Sequence, residues 1–325
     1  MLETISTAIK VLPKMIVPSV SKANLALSFK CNHKCLTCNI WKTHGHNLTK
    51  NSKHIEEGVL TINEIEKIAS RNKLIYLSLT GGEPFLRKDI GEIIQVCLQH
   101  VPMVTITTNG SLPETIERAV SQALAKTNNL LDINVSLDGN EEQHDAFTRT
   151  KGSYKRATET IERLVRIRKR NRRLKLSIEN LVSACTNAGR GYVRQYAQRM
   201  NIPLTYSVEQ RAPFYDNGDG PVNIKEMPKV KPSLKLHDIF SYLYIRSSRN
   251  GHKPKCVAGQ YTCSITPYGD VMPCLFVPAI LKNLRETDYR IGKLDYKNAV
   301  GECKERCWTP CEAYPTIMFR PWRLL

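Results

Sequence analysis

The sequence predicts an α/β protein: a parallel sheet with helical crossovers over residues 23–210, followed by a small cysteine-rich unit. Three observations predict it. Short β-rich runs alternate with helically periodic segments five times between residues 23 and 210, the pattern of parallel strands joined by helices. Residues 211–233 then turn to Pro, Gly and charge, as a linker or long surface loop does. Beyond them, residues 256–311 hold six of the eleven cysteines with turn signals and little apolar periodicity, so that segment needs a staple, and metal is the available one.

Length and composition agree. A chain of 325 residues accommodates one large domain and a smaller one, and 41% hydrophobic residues supply a core. With 24% charged residues and 17 each of Gly and Pro, disordered, collagenous and coiled-coil classes are excluded. Lys and Arg number 48 against 30 Asp and Glu, a net charge of +18. That excess permits a polyanionic partner, nucleic acid or a membrane surface, without bearing on the fold.

Residues 1–22 carry Leu2, Ile5, Ile9, Leu12 and Ile16 at helical spacing, with Pro13 and Pro18 limiting the helix to a few turns. It reads as an amphipathic helix packed under the main domain, with a membrane-surface helix as the rival. The strands are expected at Leu25–Phe29, Leu74–Thr80, Met103–Thr107, Leu131–Leu137, Leu174–Ile178 and Pro203–Val208. Helices are expected at Ile62–Ser70, Ile90–Gln99, Glu114–Ala125, Tyr154–Arg170 and Arg190–Met200. Six strands suit either a partial (β/α) barrel or an open doubly wound sheet, and the pattern alone does not choose. A linker and one helix, Leu234–Ser248, fill residues 211–249, and the cysteine-rich unit occupies 250–325.

No secretory leader and no apolar run of about 20 residues is expected, which places the chain in the cytoplasm, with the N-terminal helix leaving room for peripheral membrane contact. In a reducing compartment clustered cysteines signal metal or redox chemistry. Cys97 and Cys185 stand apart and read as ordinary thiols. Cys31, Cys35 and Cys38 follow the first strand in a C-x3-C-x2-C loop. Three thiolates on one loop suit an iron–sulfur cluster with one iron left open. Zinc is the alternative, with His33, His44 or His46 as fourth ligand.

This loop, with Gly81-Gly82-Glu83-Pro84 after the second strand, Thr107-Thr108-Asn109-Gly110 after the third and Ser136-Leu137-Asp138-Gly139 after the fourth, resembles the radical S-adenosylmethionine (radical SAM) family. The resemblance covers about residues 23–210 and implies a partial (β/α)6 TIM-like barrel with a [4Fe-4S] cluster at its mouth. It implies that Cys31, Cys35 and Cys38 hold three irons and that the amino and carboxylate groups of SAM chelate the fourth. Gly81, Gly82, Glu83, Asn109 and Ser136 would meet SAM, and Arg149 its methionine carboxylate; Glu179 is a further lining candidate. The family usually carries an aromatic residue before its third cysteine, whereas here it is Thr37; Trp41 or Phe29 are the substitutes for adenine stacking.

A second resemblance lies in the tail. Cys256, Gly269 and Cys274, with Cys263 between them and Pro267-Tyr268-Gly269-Asp270 as a hairpin turn, look like the SPASM or twitch auxiliary-cluster extension. This implies at least one auxiliary [4Fe-4S] cluster on Cys256, Cys263, Cys274 and one of Cys303, Cys307 or Cys311, with zinc as the alternative. Eight ligands would be needed for two full cubes and six thiols are present.

The resemblance implies reductive cleavage of SAM, hydrogen abstraction by the 5′-deoxyadenosyl radical, an oxidoreductase or transferase type of reaction, and a small electron donor such as ferredoxin or flavodoxin. It favours oxidation or crosslinking of a peptide or protein; a membrane lipid or an RNA is the alternative substrate. Rivals outside enzymes are an iron–sulfur electron carrier and a zinc-stabilised RNA-binding protein, neither of which needs the elements at 81–84, 107–110 and 136–139. The basic run Arg163–Lys175 allows a nucleic-acid patch, but it passes from a helix C-terminus into a strand, at the barrel end away from the cysteine loop.

Overall fold

The computed structural model describes residues 19–43, 58–209, 215, 256–277 and 279–301. The apolar stripe at 2–16, most of the linker, the helix expected at 234–248, His44, His46, Cys303, Cys307 and Cys311 lie outside the described residues. The first half runs β1 (Lys22–Ala26), a one-turn helix α1 (Ile40–Thr43), α2 (Ile62–Arg71), β2 (Tyr76–Thr80), α3 (Ile90–His100), β3 (Met103–Thr108) and α4 (Pro113–Leu124). It continues with β4 (Leu130–Ser136), α5 (Glu141–Thr148), α6 (Ser153–Arg170), β5 (Leu174–Val182), α7 (Arg190–Met200) and β6 (Leu204–Val208). After the linker come β7 (Thr262–Ile265), β8 (Asp270–Met272), β9 (Lys282–Asn283) and α8 (Lys297–Gly301).

One nine-stranded sheet contains all of these strands, in the order β6-β5-β4-β3-β2-β1-β7-β8-β9. From β1 to β6 each strand lies parallel beside its predecessor. Right-handed crossovers that never reverse direction put every helix on the same face. The side-chain pattern agrees. In β2, Leu77 and Leu79 are buried while Tyr76, Ser78 and Thr80 are half-buried; in β4, Leu131, Ile133 and Val135 alternate with Asp132, Asn134 and Ser136. The apolar set forms one core with Ile65 and Ile68 of α2, Ile93 and Leu98 of α3, Ile116 and Val120 of α4, Ile161 and Leu164 of α6 and Val193 of α7. On the other face, Ser264, Asn24, Ser78 and Thr105 follow one another in register across four strands. A doubly wound sheet needs two apolar faces. One apolar and one polar face give a partial barrel with a polar inner surface.

The tail is built into this sheet. β7 pairs parallel with β1 on the edge opposite β2, from Lys22↔Thr262 to Leu25↔Ile265. β7 and β8 form the expected hairpin, closed by the Thr266 N–H to the Asp270 carbonyl at 2.9 Å and by Gly269 at φ +88°, a conformation that favours glycine. The segment after β9 grips α2. Arg285 and the Tyr289 hydroxyl both donate to Glu64, at 2.6 and 2.9 Å, and Asn72 bonds the backbone of Tyr289 and Ile291. Glu64 is also half of the α2 capping box with Thr61, so one carboxylate joins helix start and tail.

Two expectations shift. β1 ends at Ala26 rather than Phe29, because residues 28–30 are drawn out to bond the loop after β2. Helix α5 was not anticipated, although Asn140 and Gln143 form a capping box at its start. Within the basic run, Arg163 is spent on Glu114, Glu117 and Glu159, which pack α6 on α4, and Arg168 donates to the Asn201 carbonyl. Among the described residues no helix is long and apolar enough to cross a membrane.

Candidate functional site

The cysteine loop sits at the carboxyl end of β1, where loops of a barrel gather, and three neighbours hold it. The first is the loop after β2. Gly82 N–H donates to the Ser28 carbonyl at 2.8 Å and Glu83 N–H to the Lys30 carbonyl at 2.7 Å. A Cβ on Gly81 would stand 2.1 Å from the Ser28 oxygen, and one on Gly82 only 1.9 Å from the Lys30 oxygen. The two glycines thus let this backbone lie against the cysteine loop, where any side chain would clash.

The second neighbour is the loop after β3. Asn109 Nδ2 donates to Asn32 Oδ1 at 2.9 Å, and Asn32 Nδ2 to the Ser111 hydroxyl at 2.8 Å. Asn109 also hydrogen-bonds the Cys31 sulfur. Asn32, between Cys31 and Cys35, was not singled out from the sequence; an amide in the middle of a ligand loop was the available signal. The third neighbour is the end of α5, whose Thr148 and Phe147 carbonyls accept from Lys34 and Leu36 N–H groups, each at 3.0 Å.

Glu83 is held by protein donors on every side the structure describes. Its carboxylate is 1% exposed, and Oε1 accepts from Thr108 Oγ1 at 2.8 Å and Phe85 N–H at 3.1 Å, while Oε2 accepts from Asn109 N–H at 2.8 Å. Burial pushes the carboxyl up to about 7 against these donors, which favour the anion. All three partners are protein groups, so Glu83 braces the loop after β2 against the end of β3.

Asp138 does the same between the next two strands: buried, pushed up by burial to about 7, it accepts from Leu181 N–H at 2.8 Å and from Asn180. Ser136 stands half-buried at the end of β4, opposite Glu179 in register, and no bond of its hydroxyl occurs among the described residues. Glu179, raised by burial, meets Ser207 and, at 3.5 Å, Thr107. These polar groups line the rim of the inner surface. Arg149 is exposed at the end of α5, at φ +50°, a left-handed conformation that costs a non-glycine residue. Its backbone adjoins the cysteine loop through Phe147 and Thr148.

Phe29 is 1% exposed and packs against Tyr268 with ring centroids 6.3 Å apart, so it is a core residue and not an adenine platform. Trp41 has Lys34 over its ring at 5.5 Å. Both ring nitrogens of His33 are buried without a hydrogen-bond partner and burial lowers it to about 4; it is not gathered with two further His, Cys, Asp or Glu groups of the described residues for a single metal ion.

The donor set fits an iron–sulfur cluster. Burial pushes the Cys31 thiol up to about 12 and Cys38 to about 11, and raises Cys35 as well; Cys35 and Cys31 are raised further by neighbouring sulfur. Three such sulfurs become thiolates only against a strong local cation, which iron supplies. Among the described residues no three His, Cys, Asp or Glu groups converge tightly enough for a single metal ion.

Among the described residues the tail cysteines have different surroundings. Cys263 is fully buried in the main core, on the same face of β7 as Ile265, whereas Cys274 lies in a second apolar cluster with Phe29, Tyr268 and Phe276. Strand alternation is the reason: 263 and 265 face the helices, 262 and 264 the inner surface. Cys263 thus stands in the core beside the main sheet. Cys256 is exposed, its sulfur accepting from Ala258 N–H at 3.4 Å. Cys97 is buried and Cys185 exposed, apart from the site.

Residues 25–178 match the family model of the Radical SAM superfamily. A probable GTP 3',8-cyclase of Methanocella arvoryzae is 30% identical over 144 residues, 44% of this chain and 43% of that protein. The AdoMet-dependent heme synthase of Methanosarcina barkeri is 24% identical across 91% of this chain and 95% of its own. The mycofactocin maturase MftC of Mycobacterium tuberculosis is 25% identical over 77% of this chain and 63% of its own. The match thus spans under half of the cyclase and under two thirds of the maturase. In fold, the chain resembles Streptococcus suis SuiB bound to precursor peptide SuiA, with a TM-score of 0.60, 16% identity, and coverage of 88% of this chain and 67% of SuiB.

Proposed function

We propose, from the radical SAM domain of residues 25–178, that the chain is a radical SAM enzyme acting on a C–H bond of a peptide or protein, which it oxidises or crosslinks. One observation carries the reading: the loop of Cys31, Cys35 and Cys38 is fastened by backbone bonds to the loop after β2 and by Asn109 to the loop after β3. When bound, the [4Fe-4S] cluster and SAM supply reductive cleavage of SAM and, from it, hydrogen abstraction.

The protein's own residues position and shield. Cys31, Cys35 and Cys38 would hold three irons. Gly81 and Gly82 keep the neighbouring backbone against that loop, and Glu83 and Asn109 keep it from moving. Arg149 pairs with the SAM carboxylate by a charge-assisted bond, and Ser136 offers a free hydroxyl at the rim. An auxiliary cluster would be held by Cys256 and Cys274 with two thiols from Cys303, Cys307 and Cys311, without Cys263.

The maturase relative supports the peptide substrate. A second reading, a small substrate of the haem class, is favoured by the alignment with the heme synthase along nearly the whole of both chains. The test is anaerobic reconstitution with iron, sulfide, SAM and dithionite, followed by mass spectrometry. The parent chain is expected to form 5′-deoxyadenosine, and the Cys31→Ala/Cys35→Ala/Cys38→Ala variant none; undiminished cleavage in the variant would refute the site. Which pool of candidates is altered, peptide or porphyrin, separates the two substrates.

A further inference from the structure

The strands β1 to β6 are parallel, so all six start at one end of the barrel, opposite the cysteine loop. The connections leading into β4, β5 and β6 are joined there. Leu131 N–H donates to the Arg173 carbonyl at 3.1 Å, Arg173 Nη1 to Asn128 Oδ1 at 3.3 Å, and Arg168 Nη2 to the Asn201 carbonyl at 3.0 Å. Together with the ends of α6 and α7, these connections present Lys126, Arg166, Lys169, Arg170, Arg172 and Arg199, all exposed. None of the six is in an ion pair among the described residues. Residues 125–131, 163–178 and 198–204 contain no Asp or Glu, and no Phe, Tyr or Trp. The chain enters the sheet at this same end, through residues 19–21 into Lys22 of β1. By sequence, the residues before it carry Leu2, Ile5, Ile9, Leu12 and Ile16 at helical spacing, with Lys10 and Lys14 against one acid, Glu3. β1 and β5 stand four strand spacings apart, about 19 Å. The six residues from Ile16 to Lys22 reach at most about 20 Å, so apolar stripe and cations can meet one surface.

We infer that this end of the barrel docks on an anionic phospholipid bilayer, its cations against headgroup phosphates and the apolar residues before β1 as the second attachment. Apolar stripes flanked by cations bind at such surfaces, and each Lys or Arg near an anionic one strengthens binding about fivefold. Arginine suits phosphate oxygens through its planar fork. Among the described residues no helix is long and apolar enough to cross a membrane, and the contact is peripheral. Clustered arginines also suit nucleic-acid phosphates. A polynucleotide, however, has no use for the apolar stripe and finds no aromatic platform in these three stretches. Docked in this way, the barrel turns its cysteine loop away from the bilayer. The inference does not depend on the radical SAM reading.

The test floats the full chain with vesicles of equimolar phosphatidylcholine and phosphatidylglycerol, and with vesicles of phosphatidylcholine alone, at low and high salt. The chain is expected to float with the mixed vesicles, less so as salt rises, and about tenfold less with phosphatidylcholine alone. Lys169→Glu/Arg170→Glu/Arg172→Glu should lower partition to the mixed vesicles about a hundredfold. Ile5→Asp/Ile9→Asp should lower it at least about tenfold. Thermal melts of both variants should match the parent, since the triple variant alters only exposed side chains. Lys169→Gln/Arg170→Gln/Arg172→Gln, which removes charge without reversing it, should fall between the parent and the glutamate variant. Parental partition by the triple glutamate variant or the double aspartate variant overturns the inference, and so does equal binding to the two kinds of vesicle. A duplex RNA that binds the parent more tightly than the mixed vesicles do, and is lost from the triple variant, overturns it in favour of a nucleic acid.

Discussion

Glu83 takes the backbone N–H of Asn109 at 2.8 Å, and through that contact the loops after β2 and β3 are held as one piece beneath the cysteines. Replacing the carboxylate by an amide turns an NH2 group toward Asn109, Thr108 or Phe85, all of them donors. Glu83→Gln is therefore expected to lower stability by about 1–3 kcal/mol, read from denaturant melts. A melt matching the parent would show that the brace is dispensable.

Arg149 tests function against strain. Its left-handed backbone costs a non-glycine residue about 1–2 kcal/mol, which glycine avoids at some entropic expense. Arg149→Gly should melt at or above the parental temperature. Its affinity for SAM in the reconstituted protein should fall about tenfold or more, the worth of a hydrogen bond to a charged group. Unchanged affinity would assign Arg149 to the surface alone.

Cys263 and Cys274 should part company in metal analysis. Cys263→Ala is expected to leave iron and sulfide content at the parental level while costing about 1 kcal/mol, as small core truncations do. Cys274→Ala should lower both contents. Equal loss from the two variants would restore Cys263 to the ligand set.

The grip of the tail on α2 should weaken in acid. Hydrogen bonding from Arg285, with Thr61 and Tyr289, holds the Glu64 carboxyl down to about 2 from its usual 4.5. A carboxyl with a depressed folded pKa stabilises the fold above its unfolded value and loses that contribution as pH falls toward the folded one. Protection of residues 282–291 from proteolysis should therefore decline between pH 4.5 and about 2. Glu64→Gln should flatten that decline, and an identical acid profile in the variant would contradict the assignment.

Much of this was legible in the sequence. The strand-helix alternation made six parallel strands legible, since each helix carries its own apolar stripe and the strands are short runs between them. The cysteine loop and the turn at Gly269 were visible because their chemistry is local. The choice between barrel and open sheet was not, because it depends on which face of Ser78 or Asn134 meets a helix. The placement of Cys263 was hidden for a related reason: spacing counts residues, while a strand sends neighbours to opposite sides. The bracing bonds of Glu83 were not legible because its three donors come from residues 85, 108 and 109, two of them at the end of β3 and just beyond it.

The ladder between β1 and β7 has a consequence for how such a chain can change. Cys274 follows a hairpin whose first strand is paired residue by residue with the strand that launches the cysteine loop. One inserted or deleted residue within Thr262–Ile265 would send Cys263 to the inner surface and Ser264 into the core. The C-terminal segment is thus no interchangeable cassette. Grafting it onto another barrel, or recombining it between homologues, would succeed only if the matching β1 travelled with it, while length variation is tolerated where the chain leaves the ladder.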